Sequence, residues 1–162
     1  MGMLVDGVWT EDMLDGKRPK GSGEFKRAAS AFRNWVTPDG SAGATGEAGF
    51  AAEPGRYHLY IGHACPWAHR THIFLHLKGL DGLISKSLVH WFMGSDGWTF
   101  EEDDGVIPDP VNGAKFIRDV YLASDPEATT RCTIPVLFDK QTVRIVSNES
   151  ADIIRYLVGR YA

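Results

Sequence analysis

The segment YIGHACPWAHRT, residues 60–71, restricts the fold of this chain more than any other stretch. The alternating aromatic and aliphatic run RYHLYIG, residues 56–62, reads as a strand ending at Gly62. Pro66 then suits the first turn of a helix, where its missing N–H costs nothing, and Gly79 suits the exit. Ile73, Leu77 and Leu80 recur at helical spacing with Phe74 beside them, which predicts the buried stripe. A strand that passes within three residues into a helix starts a β-α-β unit, and it sets Cys65 at the N-cap of that helix.

The remaining pattern extends this start. ISKSLVHWFM, residues 84–93, predicts a second strand carrying Leu88, Val89, Trp91 and Phe92. Residues 94–113 form a loop of twenty, past the roughly 12–15 residues beyond which loops in compact domains are usually functional or mobile. AKFIRDVYLAS, residues 114–124, reads as a short helix with Phe116, Val120 and Tyr121 inward. IPVLFD and TVRIVS read as a hairpin closed by the KQ turn. NESADIIRYLVGRYA then reads as a helix capped by Ser147 or Asn148, burying Ile153, Ile154, Leu157 and Val158. The order β-α-β-(α)-β-β-α is that of an α/β thioredoxin-like fold, a four-stranded mixed sheet flanked by helices.

Ahead of it, residues 1–55 form an extended N-terminal lead-in. Pro38–Gly55 is too rich in Gly, Pro and Ser to hold a regular element, whereas EFKRAASAFRNWV brings Phe25, Phe32, Trp35 and Val36 to dock on a core. The expected division is 1–55 as lead-in and 56–162 as the thioredoxin-like domain.

Composition excludes several functions. With 43% hydrophobic and 23% charged residues the chain can form a core, and its net charge of −4 offers no electrostatic footprint for nucleic acid. No apolar run approaches the ~20 residues that span a bilayer, and MGMLVDGVWTEDM lacks the basic start of a signal peptide. Val5 and Asp6 break the myristoylation pattern that the MG start suggests. A cytoplasmic location is expected, with Cys65 and Cys132 as free thiols.

At a helix N-cap, free N–H groups and the helix dipole favour a thiolate, so Cys65 is the candidate nucleophile. Ala68 stands where a C-x-x-C protein has its second thiol, which leaves a monothiol mechanism resolved by an outside thiol such as glutathione. Ile134-Pro135 offers a cis-proline that frees the backbone of Ile134 for a peptide-like ligand, the alternative being a trans-proline at an edge strand. Glu149 and Ser150 at a helix N-terminus suit an amino and carboxylate pair, or simply start the helix. Trp98 stacks on a ligand, shields the thiolate or fills the core. A zinc site at His63, Cys65 and His69 is disfavoured by its single thiol, and no metal is expected. His69, His72 and His76 share one side of the helix and face solvent or pack, while His63 and His69 are placed to tune Cys65.

Together AFRNWVTPDG, YIGHACPWAHRT, WFMGSDGWTF, RDVYL, TIPVLFDK and IVSNES resemble the glutathionyl-hydroquinone reductases, the Xi class of glutathione transferases. The resemblance implies an enzyme with glutathione as co-substrate, which removes glutathione from glutathionyl-hydroquinones through a cysteine–glutathione mixed disulfide, and a homodimer in the full-length family. It implies Cys65 as catalytic residue and Trp98, Arg131, Ile134, Glu149 and Ser150 as glutathione binders, with Pro66 and Pro135 structural. Family members are roughly twice as long. Their helical C-terminal domain supplies the hydroquinone pocket, so here the thiol site is expected without that pocket, and the uncovered apolar surface is expected to self-associate. Two other readings stand beside this one: a general thiol transferase of omega-class or glutaredoxin type, and a non-catalytic thioredoxin-fold binding module.

Overall fold

The structure, a computed structural model, describes residues 2–11 and 29–159, with side chains through 157. Phe25 and Val158, expected to be buried, lie outside the described residues and side chains. The hairpin of β1 (Met3–Val5) and β2 (Val8–Thr10) comes first, followed by β3 (Tyr57–Ile61), α1 (Pro66–Leu77) and β4 (Ser85–Leu88). After a long loop come α2 (Ile117–Ser124), β5 (Val136–Asp139), β6 (Arg144–Ser147) and α3 (Ser150–Gly159). The main sheet has the order β4-β3-β5-β6, with β3 parallel to β4 and antiparallel to β5, and β5 antiparallel to β6. This is the expected thioredoxin-like sheet. α1 packs on α3 and α2 on β6. No described helix is long and apolar enough to cross a membrane.

β3 lies at the centre because all five of its residues are buried, including His58. Two serines of β4 make that histidine tolerable: Nδ1 lies 2.7 Å from Ser85 Oγ and Nε2 2.8 Å from Ser87 Oγ. Burial pushes its pKa down to about 4, so the ring stays neutral. At the far end of β5 the buried Arg56 grips Asp139 bidentately, Nε to Oδ1 at 3.0 Å and Nη2 to Oδ2 at 2.6 Å.

Several elements differ from the sequence reading. The second strand is only Ser85–Leu88; Trp91 and Phe92 beyond it are each 60% exposed. The long loop is tied down by single bridges, Leu88 to Ile107 and Thr99 to Phe116. α2 begins at Ile117, and Ile117, Val120 and Tyr121 face inward; Phe116 is only half-buried at the N-cap, where Asp119 accepts its N–H at 2.9 Å. The turn between β5 and β6 spans residues 140–143, not two residues, because Asp139 accepts the Gln141 N–H and the Thr142 hydroxyl and folds the chain through a wider loop.

α1 corrects the stripe. It buries Ala68, Thr71 and Leu75, whereas Ile73 and Leu77 are 43% and 74% exposed. Leu80 does reach the core, carried there after the helix ends: Gly79, at φ 65°, and Leu80 return their N–H groups to His76 and Leu75 in a Schellman-type exit.

The described lead-in residues 32–36 are docked on the sheet. Asn34 donates its N–H to Val146 and Asn148 to Phe32, so residues 32–34 run along the edge of β6. Phe32 meets Tyr121 edge-on and Trp35 meets Tyr156, and Val36 and Phe50 are buried. The β1–β2 hairpin was not expected, although VDGV carries an Asp-Gly turn signal between apolar residues. Both Asp6 and Gly7 have positive φ, and a side chain at residue 7 would lie 2.0 Å from the Pro126 carbonyl oxygen.

Candidate active site

Two neighbouring strands bring the thiol and the proline together. β3 runs out at Ile61 and the chain turns through residues 62–65 into α1, with Cys65 N–H on the Gly62 carbonyl at 3.2 Å. Gly62 is needed for this turn, since a Cβ there would lie 2.7 Å from Val89 Cγ2 and 2.8 Å from Ile134 Cδ1. Cys65 is the N-cap of α1, in extended conformation, and Pro66 is its first helical residue. No side chain caps this helix end, so its free N–H groups remain available to an anion at the cap.

β5 is antiparallel to β3, so its opening faces the end of β3, and the Ile134–Pro135 bond there is cis, as expected. The Cys65 thiol donates to the Ile134 carbonyl across 3.6 Å. Ile134 itself is buried. Pro135 thereby fixes the strand entry opposite the thiol.

The third part is the start of α3. Its cap is Glu149, not Ser147 or Asn148: the Glu149 carboxylate accepts the Ala151 N–H at 3.1 Å, and Ser147 Oγ accepts the Glu149 N–H. Ser30 from the lead-in donates to the other Glu149 oxygen at 2.9 Å. Ser150 is buried, and its hydroxyl accepts two N–H groups of Arg70, at 2.5 and 3.2 Å. Arg70 also stacks on Trp67, 4.9 Å from the ring centre. α1 therefore carries both the thiol and an arginine that reaches the α3 terminus.

The other candidates stand differently. Trp98 lies on the long loop, partly buried against the core, with its carbonyl accepting the Ile117 N–H. The Arg131 guanidinium has no partner among the described residues, and no described hydrogen bond joins Trp98 or Arg131 to Cys65, Ile134 or Ser150. Asn148, expected only as a helix cap, has another role: its side chain accepts the Phe32 N–H and donates to Tyr121 Oη, while Tyr121 donates to the Thr133 carbonyl beside the cis-proline. Arg70 was overlooked, although it stands inside HACPWAHR five residues after the cysteine.

A cavity of about 640 Å³ lies elsewhere, on the long loop between His90, Phe92, Phe100, Asp109 and Phe116; none of the expected site residues lines it. The second thiol, Cys132, is buried, and burial pushes it up to about 12. It stays protonated and is not a nucleophile. Among the described residues no group of three or more His, Cys, Asp or Glu side chains is arranged to hold a metal.

A four-stranded thioredoxin-like sheet, a monothiol at the N-cap of its first helix and a cis-proline facing that thiol define a glutathione-transferase type of domain. Residues 64–159 match the family model of the glutathione S-transferase N-terminal domain, and the chain belongs to that family. It is 51% identical over 156 residues to the glutathionyl-hydroquinone reductase YqjG of Escherichia coli, and 49% identical over 157 to the glutathionyl-hydroquinone reductase PcpF of Sphingobium chlorophenolicum. These alignments cover 96% and 97% of this chain but 47% and 46% of the relatives, so the chain spans about half their length. Among solved structures, glutathione-bound YqjG superposes with a TM-score of 0.84 at 45% identity, over 99% of this chain and 46% of that one. A Xi class transferase from Natrialba magadii gives 0.82 at 41%, over 99% and 45%.

Proposed function

We propose that this domain binds glutathione across the ends of α1 and α3 and uses Cys65 to remove glutathione from glutathionyl-hydroquinones. The observation that carries this reading is the placement of Cys65: an N-cap thiol, facing the Ile134 carbonyl at 3.6 Å, with Ala68 where a resolving cysteine would stand. In the first step the Cys65 thiolate attacks the glutathione sulfur. The aryl carbon–sulfur bond breaks, the aryl carbon takes a proton, and hydroquinone leaves a Cys65–glutathione disulfide. In the second step the thiolate of another glutathione attacks that disulfide, releasing oxidised glutathione and regenerating Cys65.

Ile134 offers its backbone to the cysteinyl unit, Glu149 and Ser150 hold the γ-glutamyl end, Trp98 stacks on the peptide and Arg131 supplies a free cation. The similarity to two glutathionyl-hydroquinone reductases supports the choice of substrate. A general thiol transferase is the second reading, supported by the monothiol at the helix cap with Ala68 at the resolving position. A pure binding module has no use for a thiol at a helix cap.

Intact-mass measurement after mixing with a glutathionyl-hydroquinone tests this. The expected result is a glutathione adduct on Cys65, free hydroquinone, and neither in Cys65→Ser. If oxidised glutathione labels Cys65 but the conjugate does not, the second reading replaces the first. Labelling of Cys65→Ser would remove Cys65 from both.

A further inference from the structure

α1 carries a cluster of histidines that the thiol chemistry does not use. His72 and His76, four residues apart, lie one above the other on the helix face, with their Nε2 atoms 2.8 Å apart and ring centres at 4.4 Å. The His63 ring stands 5.8 Å from that of His72. Just beyond the helix, Asp81 Oδ2 lies 2.6 Å from His76 Nδ1, and Oδ1 takes Lys86 Nζ at 2.7 Å.

This contact fixes the His76 proton. The carboxylate accepts at Nδ1, so Nδ1 holds the hydrogen and Nε2 faces His72. A carboxylate behind an imidazole in this way is the usual outer support of a metal-binding histidine.

The spacing of the two nitrogens selects a geometry. With metal–nitrogen bonds of about 2.0–2.1 Å, nitrogens 2.8 Å apart subtend roughly 85–90°, the cis angle of a square-planar or octahedral centre. A tetrahedral ion would need them about 3.3 Å apart. We propose that His72 and His76 form a bidentate site for a late first-row divalent ion of tetragonal or octahedral preference, Ni²⁺ or Cu²⁺, with Asp81 as its outer-sphere support. The remaining positions belong to water. On binding, the hydrogen shared between the two Nε2 atoms leaves that contact, for His72 Nδ1 or for solvent. Such a chelate clamps one turn of the helix that holds Cys65 at its N-terminus.

Isothermal titration with Ni²⁺, which is redox-inert here, tests the site on the tag-free full chain carrying Cys65→Ser, so that the thiol does not compete. One ion per chain is expected, with binding at least about tenfold weaker in His72→Gln and in His76→Gln, and about 10- to 100-fold weaker in Asp81→Asn. His69→Gln, an exposed histidine of the same helix, keeps the full affinity. Saturating Ni²⁺ also raises the melting temperature of the parent chain and not of the His72→Gln/His76→Gln double variant, whose own metal-free melting curve shows that it is folded. Unchanged affinity in the two histidine variants, absence of saturable binding below millimolar Ni²⁺, or tighter binding of Zn²⁺ than of Ni²⁺ overturns the proposal.

Discussion

At the residue scale, Cys65 and Cys132 show how environment divides two identical side chains. Burial pushes Cys132 up to about 12, while Cys65 is half-exposed at an N-cap against a carbonyl. Arg70 belongs to the same scale. Both of its described hydrogen bonds end on Ser150 Oγ, which engages that oxygen as acceptor and holds the guanidinium at the α3 terminus, where the glutathione carboxylate is placed in the proposed reading. Arg70→Met removes two donors and a positive charge. A hydrogen bond to a charged group is worth about 1.5–3 kcal/mol, so S-methylglutathione should bind about tenfold or more weakly by calorimetry, with Arg70→Lys in between. An unchanged Kd in Arg70→Met, with the fold intact by circular dichroism, removes Arg70 from the site. The thiol, the cis-proline and the Glu149-Ser150 pair were legible in the sequence because each sits at an element boundary that leaves a local mark. The contacts of Arg70 and Asn148 were not, since their partners lie 80 and 27 residues away in Ser150 and Tyr121 and only the packing of α1 on α3 and α2 on β6 brings them together.

At the scale of elements, periodicity located α1 but chose the wrong face. Its positions allow an apolar stripe at Ile73 and Leu77, yet the helix turns Ala68 and Thr71 inward because small side chains let it approach its neighbours closely. Thr71 satisfies its own hydroxyl on the Ala68 carbonyl at 2.6 Å, so burying it leaves no unpaired polar group. β3 shows the same trade in His58, a buried titratable ring accepted in exchange for two serine contacts. That trade has a pH signature. The unfolded chain takes up a proton near the ordinary 6.5, the folded chain only near 4, so protonation favours unfolding. Stability is fully present above about pH 6.5 and declines as the pH falls toward 4, by on the order of 3 kcal/mol for His58 alone. Denaturant melts between pH 7.5 and 4.5 should show this decline, and His58→Gln should flatten it while lowering stability at pH 7.5. A wild-type profile that stays level over this range would mean that His58 titrates normally. Asp139 adds a further loss at lower pH. Burial works against its charge, but Arg56, Thr142 and the Gln141 N–H hold its carboxyl below the ordinary 3.8, so its contribution is present above that value and fades beneath it.

For the molecule as a whole, the described parts of the lead-in, residues 2–11 and 29–55, belong to the folded body. Leu4 exchanges both backbone hydrogen bonds with Thr130, at 2.9 and 3.0 Å, just ahead of the cis-proline. Residues 32–34 pair along β6, which otherwise ends the sheet with open backbone groups. Arg33 adds an ion pair to the buried Asp152 at 2.6 Å, and Ser30 holds Glu149. These contacts bear on whether residues 56–162 stand alone as a domain. Burying a large apolar side chain contributes roughly 1.5–3 kcal/mol, so losing Leu4, Val36 and Phe50 removes about 5–9 kcal/mol, comparable to the 5–15 kcal/mol that holds typical domains together. A chain beginning at residue 56 is therefore expected to lose its cooperative melt and to aggregate through the uncovered β6 edge. Sedimentation velocity and thermal melts of that shortened chain beside the full one decide it. Equal melting temperatures and a monodisperse boundary would make the lead-in dispensable for folding. In that case the Ser30–Glu149 contact would be its remaining tie to the glutathione end, testable by Ser30→Ala in the full chain.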